Sequence, residues 1–310
     1  MKINKPKFWD QKKSFYSIIL FPFTVLVKLV IFFKKKFIKS KKFNIPVICI
    51  GNIYLGGTGK TPTAILIANE LVKIGKKPSI IRKFYLDQED EYELIRKYHK
   101  DLHVNLKRSE AILEAENKSY DSVILDDGFQ DYTIKKNFNI ICFNQNQLIG
   151  NGMVIPSGPL RESLDALKDS QVVIINGKKN LEFEQKILQY NKNLYIFYSN
   201  YYSLNSNEFK KKKLLALAGI ANPKNFFDLL LKEGLDIEKK IIFPDHYQFK
   251  RSEIVNIVKY ANERNLQIVM TEKDYFKVKK FNYNEIKYLK IILKIDNYEK
   301  LIKLISDKYD

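Results

Sequence analysis

A glycine-rich turn near the start of the chain carries the residues best suited to chemistry. The sequence from Val47 to Ile67 reads VICIGNIYLGGTGKTPTAILI, which is an apolar run, a turn and a helix-like segment. Backbone N–H groups of such a turn can close around an anion at the start of a helix. Lys60 can then reach the outer phosphates of a nucleotide, and the Thr61 hydroxyl can bind Mg²⁺. The turn itself, with its candidate phosphate-binding residues, is Gly56, Gly57, Thr58 and Gly59.

This turn departs at one position from the strict P-loop pattern G-x-x-x-x-G-K-[ST]. The pattern requires a glycine where this chain has Tyr54. Flexible loops also collect glycine and lysine without a catalytic reason, so the turn alone leaves a purely structural loop open. The order of strand, turn and helix favours a site for a nucleoside triphosphate.

A pair of carboxylates ends a second apolar run. Residues 122–130 read SVILDDGFQ, so a predicted strand stops at Asp126 and Asp127. Carboxylates at a strand end can bind Mg²⁺ or orient its waters. A strand followed by Asp-Asp-Gly can also be a capped turn. Beside the glycine-rich turn, the metal-binding interpretation is favoured.

Arg161 and Glu162 follow a turn-rich stretch and are predicted to begin a helix. The arginine can neutralise phosphate charge, and the glutamate can join the ligands of a metal. An ordinary ion pair on the protein surface is the alternative.

His246 lies in a predicted loop, directly after Asp245. A histidine in such a loop can form an acid–base dyad with a carboxylate. A purely structural role for this histidine stays open.

The elements that must position these groups alternate along the chain. Helical periodicity over Thr63–Ile74 is followed by a predicted strand at Pro78–Ile81, which delivers Arg82 and a short polar loop at 87–91. Further strands are predicted at 140–143, 172–175, 214–218, 268–271 and 291–293. Strands separated by helices pair in parallel, and parallel sheets bind ligands at the carboxyl ends of their strands.

The predicted fold class is therefore α/β, a P-loop NTPase-like α/β/α sandwich with a mostly parallel sheet. A second, smaller α/β domain and an N-terminal membrane-associated helix complete it. We expect a basic, apolar N-terminal segment at 1–42, a domain that contains the glycine-rich turn at 43–205 and a smaller α/β domain at 206–310.

Charge and apolar residues are concentrated at the N-terminus. The formal net charge is +19, and residues 1–42 hold twelve lysines and one aspartate. Between them, Phe15–Phe33 is almost unbroken apolar sequence, interrupted by Pro22 and Lys28. This length is at the lower edge of a membrane span, so a helix that lies in the interface and one that crosses the bilayer both stay open. An ordinary buried helix is a third alternative. The lysines favour anionic lipids, and we expect no nucleic-acid partner.

The ordered set of these stretches resembles the tetraacyldisaccharide 4′-kinase family of lipid A biosynthesis. The matching blocks are Gly51-Asn52, 56–62 (GGTGKTP), 126–130 (DDGFQ), 150–152 (GNG), 156–162 (PSGPLRE), 219–223 (GIANP), Phe226-Phe227, Asp245-His246 and 271–274 (TEKD). They span roughly residues 15 to 277 in the family's order.

The resemblance implies transfer of the ATP γ-phosphate to the 4′-hydroxyl of a tetraacylated glucosamine disaccharide 1-phosphate. It also implies two α/β/α domains at the cytoplasmic face of the bacterial inner membrane. The segment 43–205 would be a P-loop kinase domain, and the segment 206–310 would close the active-site cleft. Lys60 and Thr61 would hold the phosphates and Mg²⁺, and Asp126, Asp127 and Glu162 would organise the metal. Arg161 would stabilise charge. The catalytic base carries over to Asp90, with His246 as its supporting partner.

Some positions depart from the family's pattern. The family's Ser-Arg-Gly-Tyr-Gly appears here as Ile-Arg-Lys-Phe-Tyr at 81–85, the following loop to Asp90 is short, and Asp131 stands where histidine is common. Two other functions stay open from the residues alone. One is a membrane-associated P-loop ATPase or GTPase switch without a lipid acceptor, and the other is a basic nucleic-acid-binding or membrane-surface-binding protein.

Overall fold

Short apolar runs form strands throughout the chain. The computed structural model describes residues 5–12 and 14–309. Its strands are, in chain order, β1 (Val47–Gly51), β2 (Pro78–Lys83), β3 (Leu102–Asn105), β4 (Ser122–Asp126), β5 (Phe138–Asn144), β6 (Val172–Asn176), β7 (Tyr195–Ser203), β8 (Lys213–Ala218), β9 (Asp236–Ile242), β10 (Gln267–Thr271), β11 (Ile286–Leu289) and β12 (Ile291–Ile295).

Helices alternate with these strands. They are α1 (Phe15–Ile19), α2 (Phe21–Phe37), α3 (Lys60–Lys73), α4 (Glu89–Tyr98), α5 (Arg108–Asn117), α6 (Leu181–Leu188), α7 (Pro223–Lys232), α8 (Arg251–Glu263), α9 (Glu272–Val278) and α10 (Tyr298–Ser306). Short 3₁₀ helices lie at Lys7–Asp10, Leu164–Asp169, Ser206–Phe209 and Lys279–Phe281.

The strands form two sheets. The larger has the order β12-β7-β6-β5-β1-β4-β2-β3, and the smaller has the order β11-β10-β8-β9. Within the larger sheet, β1 pairs in parallel with β4 and β5, and β2 pairs in parallel with β3 and β4. The smaller sheet is parallel throughout. The predicted α/β class with a mostly parallel sheet is confirmed.

The chain divides into two compact units that are not continuous stretches of sequence. The first comprises Met1–Phe84, Asp101–Asn200 and Ile295–Asp310, and the second comprises Tyr85–Lys100 and Tyr201–Lys294. Helix α4 therefore belongs to the second unit, although it follows a strand of the first. The domain boundaries at 43–205 and 206–310 stay predictions.

Register brings polar residues to one edge of the larger sheet. Ile50 pairs with Asp126, and Ile81 pairs with Leu125, so Arg82 comes level with Asp126. Strands β1 and β4 are buried along their whole length, because helices cover both faces of a parallel sheet. The carboxyl ends of three neighbouring strands thus present their side chains together.

The smaller sheet has an apolar core on each face. Leu214 and Ala216 pack with Phe226 and Phe227 of α7, and Leu215 and Leu217 pack on the other face with residues of α8. Alternate residues of β8 serve the two cores, because successive side chains of a strand point to opposite faces.

The apolar N-terminal run forms two helices, with Pro22 in the first turn of α2, where proline is tolerated. Its packing is inverted: the small polar residues Ser17 and Thr24 are buried, whereas most of the large apolar residues are exposed. Thr24 Oγ1 contacts the Val154 carbonyl oxygen at 3.1 Å and Ser157 Oγ at 2.8 Å. Among the described residues, no helix has the length and apolar character needed to cross a membrane.

Two local predictions need correction. Arg161 and Glu162 do not begin a helix, because Arg161 N donates to the Ile53 carbonyl oxygen and the following 3₁₀ helix begins at Leu164. The predicted polar loop at 87–91 is helical from Glu89, since acidic residues fill the first turn of α4, where they oppose the positive end of the helix dipole.

Candidate functional site

The glycine-rich turn has the backbone geometry that an anion site needs. Gly59 has a φ of 90° and lies directly before α3, so the free N–H groups of the first helical turn face the loop. Asn52 Nδ2 braces the loop by donating to the Gly56 carbonyl oxygen and to Thr58 Oγ1, both at 3.1 Å. The loop is therefore held open by side-chain bonds from the end of β1.

Lys60 is largely withdrawn from water at the start of α3. Its side chain is 12% exposed, and Nζ lies 3.5 Å from Asp127 Oδ1. Burial lowers the pKa of Lys60, and the attraction of Asp127 offsets this only in part because Arg161 is also nearby. A poorly solvated ammonium group of this kind gains much from an incoming phosphate.

Asp126 is a fully buried carboxylate at the end of β4. Thr61 Oγ1 donates to Asp126 Oδ2 at 2.8 Å, and Arg82 forms an ion pair with the same oxygen. Arg82 Nη1 also donates to Thr61 Oγ1 at 3.1 Å. The other oxygen, Asp126 Oδ1, is buried and has no hydrogen-bond partner among the described residues.

Asp127 is surrounded by cations. Arg161 Nη1 lies 3.0 Å from Asp127 Oδ1, and Arg108 Nη2 donates to the Asp127 carbonyl oxygen at 2.7 Å. Burial raises the pKa of Asp127, but Lys60 and Arg161 outweigh it and hold this pKa below its usual range. Asp127 therefore aligns Lys60 and Arg161 toward the same space.

Glu162 is buried and held on both of its oxygens. Gln130 Nε2 donates to Glu162 Oε1 at 3.1 Å and to the Asn52 carbonyl oxygen at 2.9 Å. Lys35 Nζ, from α2, lies 2.8 Å from Glu162 Oε2. This lysine links the N-terminal helix to the site.

The first unit brings together the predicted residues Lys60, Thr61, Asp126, Asp127, Arg161 and Glu162. Each carboxylate of this set is paired with a cation. The sequence predicted Arg82 at this edge of the sheet but gave it no role, and it gave no signal for Lys35 or Gln130 as partners of Glu162. The described residues contain no group of three or more His, Cys, Asp or Glu side chains arranged to hold a metal ion. Mg²⁺ commonly uses only one or two carboxylates, together with water and phosphate oxygens. The Thr61 hydroxyl and the unpartnered Asp126 Oδ1 fit that mode.

The second unit brings together the remaining two predicted residues. Asp90 lies in the first turn of α4 with its side chain 2% exposed, and His246 Nδ1 is 3.6 Å from Asp90 Oδ1. Burial raises the pKa of Asp90, but His246 and two lysines of α9, Lys273 and Lys277, more than offset it and hold this pKa below its usual range. Asp90 is thus an ionised carboxylate near neutral pH, which a proton acceptor must be.

His246 is positioned by its own backbone and by further charges. Its φ is 54°, in the left-handed region that residues with a side chain seldom adopt. Its Nε2 lies 3.6 Å from Glu91 Oε1 and 3.8 Å from Asp245 Oδ2. Three carboxylates therefore surround this ring.

Replacement of Arg82 tests the charge pairing at the end of β4. We expect Arg82→Met to destabilise the protein by about 3–5 kcal/mol, because it leaves the buried Asp126 carboxylate without its cation. Arg82→Lys should recover part of this loss. Urea unfolding followed by circular dichroism measures the change.

Lys168→Met is the control, because Lys168 pairs with Asp165 while both side chains are 62% exposed. Such a pair contributes at most about 1 kcal/mol. Equal, small effects of Arg82→Met and Lys168→Met would contradict the importance of the buried pair.

Comparison with known proteins places this chain in a family. The family model described as tetraacyldisaccharide-1-P 4′-kinase matches residues 16–310. The chain is 42% identical over 314 residues to a tetraacyldisaccharide 4′-kinase of Pelagibacter ubique, with 98% of this chain and 99% of the relative covered. It is 31% identical to the corresponding enzyme of Shewanella halifaxensis, with 94% and 93% covered.

A solved structure has the same fold. The crystal structure of LpxK from Aquifex aeolicus in complex with ATP matches with a TM-score of 0.73 and 25% identity, and the match covers 95% of this chain and 99% of that chain. The matched range, the identities and the shared fold all indicate the same family. The chain belongs to the tetraacyldisaccharide 4′-kinase family, the ATP-dependent 4′-kinases of lipid A biosynthesis.

Proposed function

We propose that this kinase holds the phosphates of ATP with the turn Gly56–Gly59 and with Lys60, and that Arg161 neutralises charge on the transferred group. The observation that carries the proposal is the convergence of Lys60 and Arg161 on Asp127. Phosphoryl transfer depends mostly on positioning and on charge stabilisation, so two fixed cations supply much of what the reaction needs.

Mg²⁺ is the second part of this proposal. Thr61 and Asp126 would hold the ion, and Asp127 and Glu162 would complete its surroundings directly or through water. When bound, the ion neutralises charge on the phosphate oxygens. The present partners of these groups, Arg82 and Lys35, keep the buried carboxylates compensated when they are not engaged with a metal.

Asp90 is proposed as the catalytic base. The 4′-hydroxyl oxygen of the acceptor forms a bond to the γ-phosphorus, the bond from that phosphorus to the bridging oxygen breaks, and ADP leaves. The hydroxyl proton passes to Asp90. His246, beside Asp90 Oδ1, holds the carboxylate in place. The low pKa suits a base that accepts the proton late, when the acceptor oxygen has become acidic.

Membrane association through α1 and α2 is proposed from their inverted packing. The exposed fraction is 72% for Phe15, 66% for Ile18 and 59% for Leu26, and the lysines of the segment lie beside them. Contiguous exposed apolar surface of this kind, next to basic residues, suits a helix that lies in the interface of an anionic bilayer. The acyl chains of a tetraacylated disaccharide 1-phosphate would then stay in the lipid, at the cytoplasmic face of the bacterial inner membrane.

The role of Asp90 is tested by Asp90→Asn. We expect kcat to fall by about 10² or more, because the acceptor proton loses its base, whereas affinity for ATP is unchanged. The assay follows phosphorylation of a tetraacylated glucosamine disaccharide 1-phosphate in detergent. Asp87→Asn is the matched control, since Asp87 is exposed just before α4. Near-normal turnover of Asp90→Asn would move the base elsewhere.

The metal proposal is tested by ATP binding to Thr61→Ala. We expect affinity to fall about 10-fold or more in the presence of Mg²⁺, the size of effect expected when a group around a metal is lost. Affinity in EDTA should stay close to that of the wild type. Thr61→Ser retains the hydroxyl and should restore binding. An equal loss with and without Mg²⁺, measured by calorimetry, would contradict metal binding by Thr61.

The membrane proposal is tested by vesicle cosedimentation. The triple variant Phe15→Ser, Ile18→Ser and Leu26→Ser should bind phosphatidylglycerol vesicles about 100-fold or more weakly than the wild type. The reason is that the variant buries much less apolar area in the interface. Serine at Leu106, Leu181 and Ile242, which are similarly exposed outside α1 and α2, is the control. Equal binding by both triple variants would exclude α1 and α2 as the contact.

A further inference from the structure

Helix α9 and the residues just after it face α4 with a row of charges. Among the described residues, five ion pairs join the two segments: Lys273 with Glu91 at 2.7 Å and with Asp90 at 3.9 Å, Lys277 with Asp90 at 3.3 Å, Lys279 with Glu93 at 2.7 Å, and Glu272 with Lys97. Tyr98 adds a hydrogen bond to Glu272 Oε2 at 2.7 Å. The helix that carries the proposed base is therefore fixed along its length by side chains of another segment of the same unit.

One of these pairs is buried. The side chains of Lys277 and Asp90 are 3% and 2% exposed, whereas those of Lys279 and Glu93 are 45% and 32% exposed. Lys277 Nζ also lies 3.0 Å from Asp274 Oδ1, and Asp274 is fully buried. A buried ammonium group is tolerated because two carboxylates share it, and removal of either partner leaves a charge that water cannot reach.

Asp274 is itself fixed by two other parts of the second unit. Gly219 N, just after β8, donates to Asp274 Oδ2 at 2.8 Å, and Thr271 Oγ1 donates to the same oxygen at 2.7 Å. Thr271 Oγ1 also accepts a hydrogen bond from Asp274 N at 3.1 Å. A Cβ at position 219 would lie 3.0 Å from Asp274 Oδ1, so glycine permits this close approach.

We propose that Lys277, anchored by Asp274, is a positioning residue that holds the Asp90 carboxylate ionised and in a single orientation. The proposal rests on the proposed role of Asp90 as the base. It gives the Gly219 and 271–274 segments a role, namely to anchor Lys277 through Asp274. The proposed reaction itself does not use these segments. Lys277 lies on the Oδ2 side of Asp90 and His246 on the Oδ1 side. Rotation of the carboxylate is resisted from both sides.

Charged groups from three segments surround Asp90. Lys273 and Lys277 come from α9, His246 comes from the loop after β9, and Glu91 is the neighbour on α4 itself. Asp245 faces His246 and Lys273 rather than Asp90. A base works only when it is ionised, so loss of one cation moves the acid limb of the rate profile to higher pH.

The experiment compares Lys277→Met, Lys277→Arg and Asp274→Asn with the control Lys279→Met. Two readouts are used: the pH profile of kcat, and the pKa of Asp90 from ¹³C NMR of labelled aspartate carboxyls, assigned by the signal lost in Asp90→Asn. We expect Lys277→Met to raise that pKa and the acid limb by about 1 pH unit or more, with ATP affinity unchanged.

The other variants separate charge from folding. Lys277→Arg keeps the cation and should leave both readouts near their wild-type values. In Asp274→Asn the side-chain oxygen still accepts the bond from Gly219 N, so the amide nitrogen faces Lys277 and repels its ammonium group. Displacement of Lys277 from Asp90 should shift both readouts upward without deleting the lysine. Should Lys277→Met fail to fold, Asp274→Asn carries the test. Lys279→Met should change neither readout.

An unchanged Asp90 pKa and an unchanged acid limb in both Lys277→Met and Asp274→Asn would overturn the inference, even if Asp90→Asn is inactive. Conversely, these variants could raise the pKa of Asp90 while Asp90→Asn turns over normally. That result would support the effect of Lys277 on Asp90. In that case the proposed base would be wrong, and with it the catalytic meaning of the pair. The two failures are thus distinguishable.

Discussion

The first unit, which contains the proposed ATP site, depends on one buried carboxylate. Asp126 ends a strand whose neighbours bring Arg82 beside it, and its oxygen is shared by Arg82 and Thr61. A charge in this position is tolerated only while its partners stay in place. The Asp126 carboxylate can therefore be buried only because the parallel register of β1, β4 and β2 places Arg82 beside it. Through its bond with Thr61, the carboxylate in turn fixes the first turn of α3 against the edge of the sheet.

The same logic operates in the second unit with the signs arranged differently. There a buried lysine lies between Asp90 and Asp274, and hydrogen bonds from Gly219 and Thr271 fix the second carboxylate. Both units thus contain ion pairs that are shielded from water. The positions of the paired side chains are restricted, because a buried charge without a partner costs much free energy. Surface pairs of the same residue types, such as Lys168 with Asp165, impose no such restriction.

Features that depend on neighbouring residues could be predicted from the sequence, and features that depend on distant pairing could not. The turn before Lys60 and the pair Asp126-Asp127 are local patterns, and the alternation of strands and helices was sufficient for the fold class. Arg82 and Lys35 find their partners through sheet register and helix docking, which no local pattern encodes. Asp90 was reached only through resemblance to a family, although the acidic run Glu89–Glu91 ahead of spaced apolar residues was a usable signal for a helix start.

The inverted packing of α2 separates two kinds of contact that a helix usually combines on one face. Thr24 docks by hydrogen bonds and Lys35 by charge, whereas most of the apolar side chains, Val27 excepted, face away from the protein. In water the hydrophobic effect therefore contributes little to holding this helix against its unit. An amphiphile that covers the apolar face does not compete with the docking contacts, so by linkage it adds to the stability of the folded chain. The stability of this segment therefore depends on what covers its apolar face as well as on its contacts with the protein.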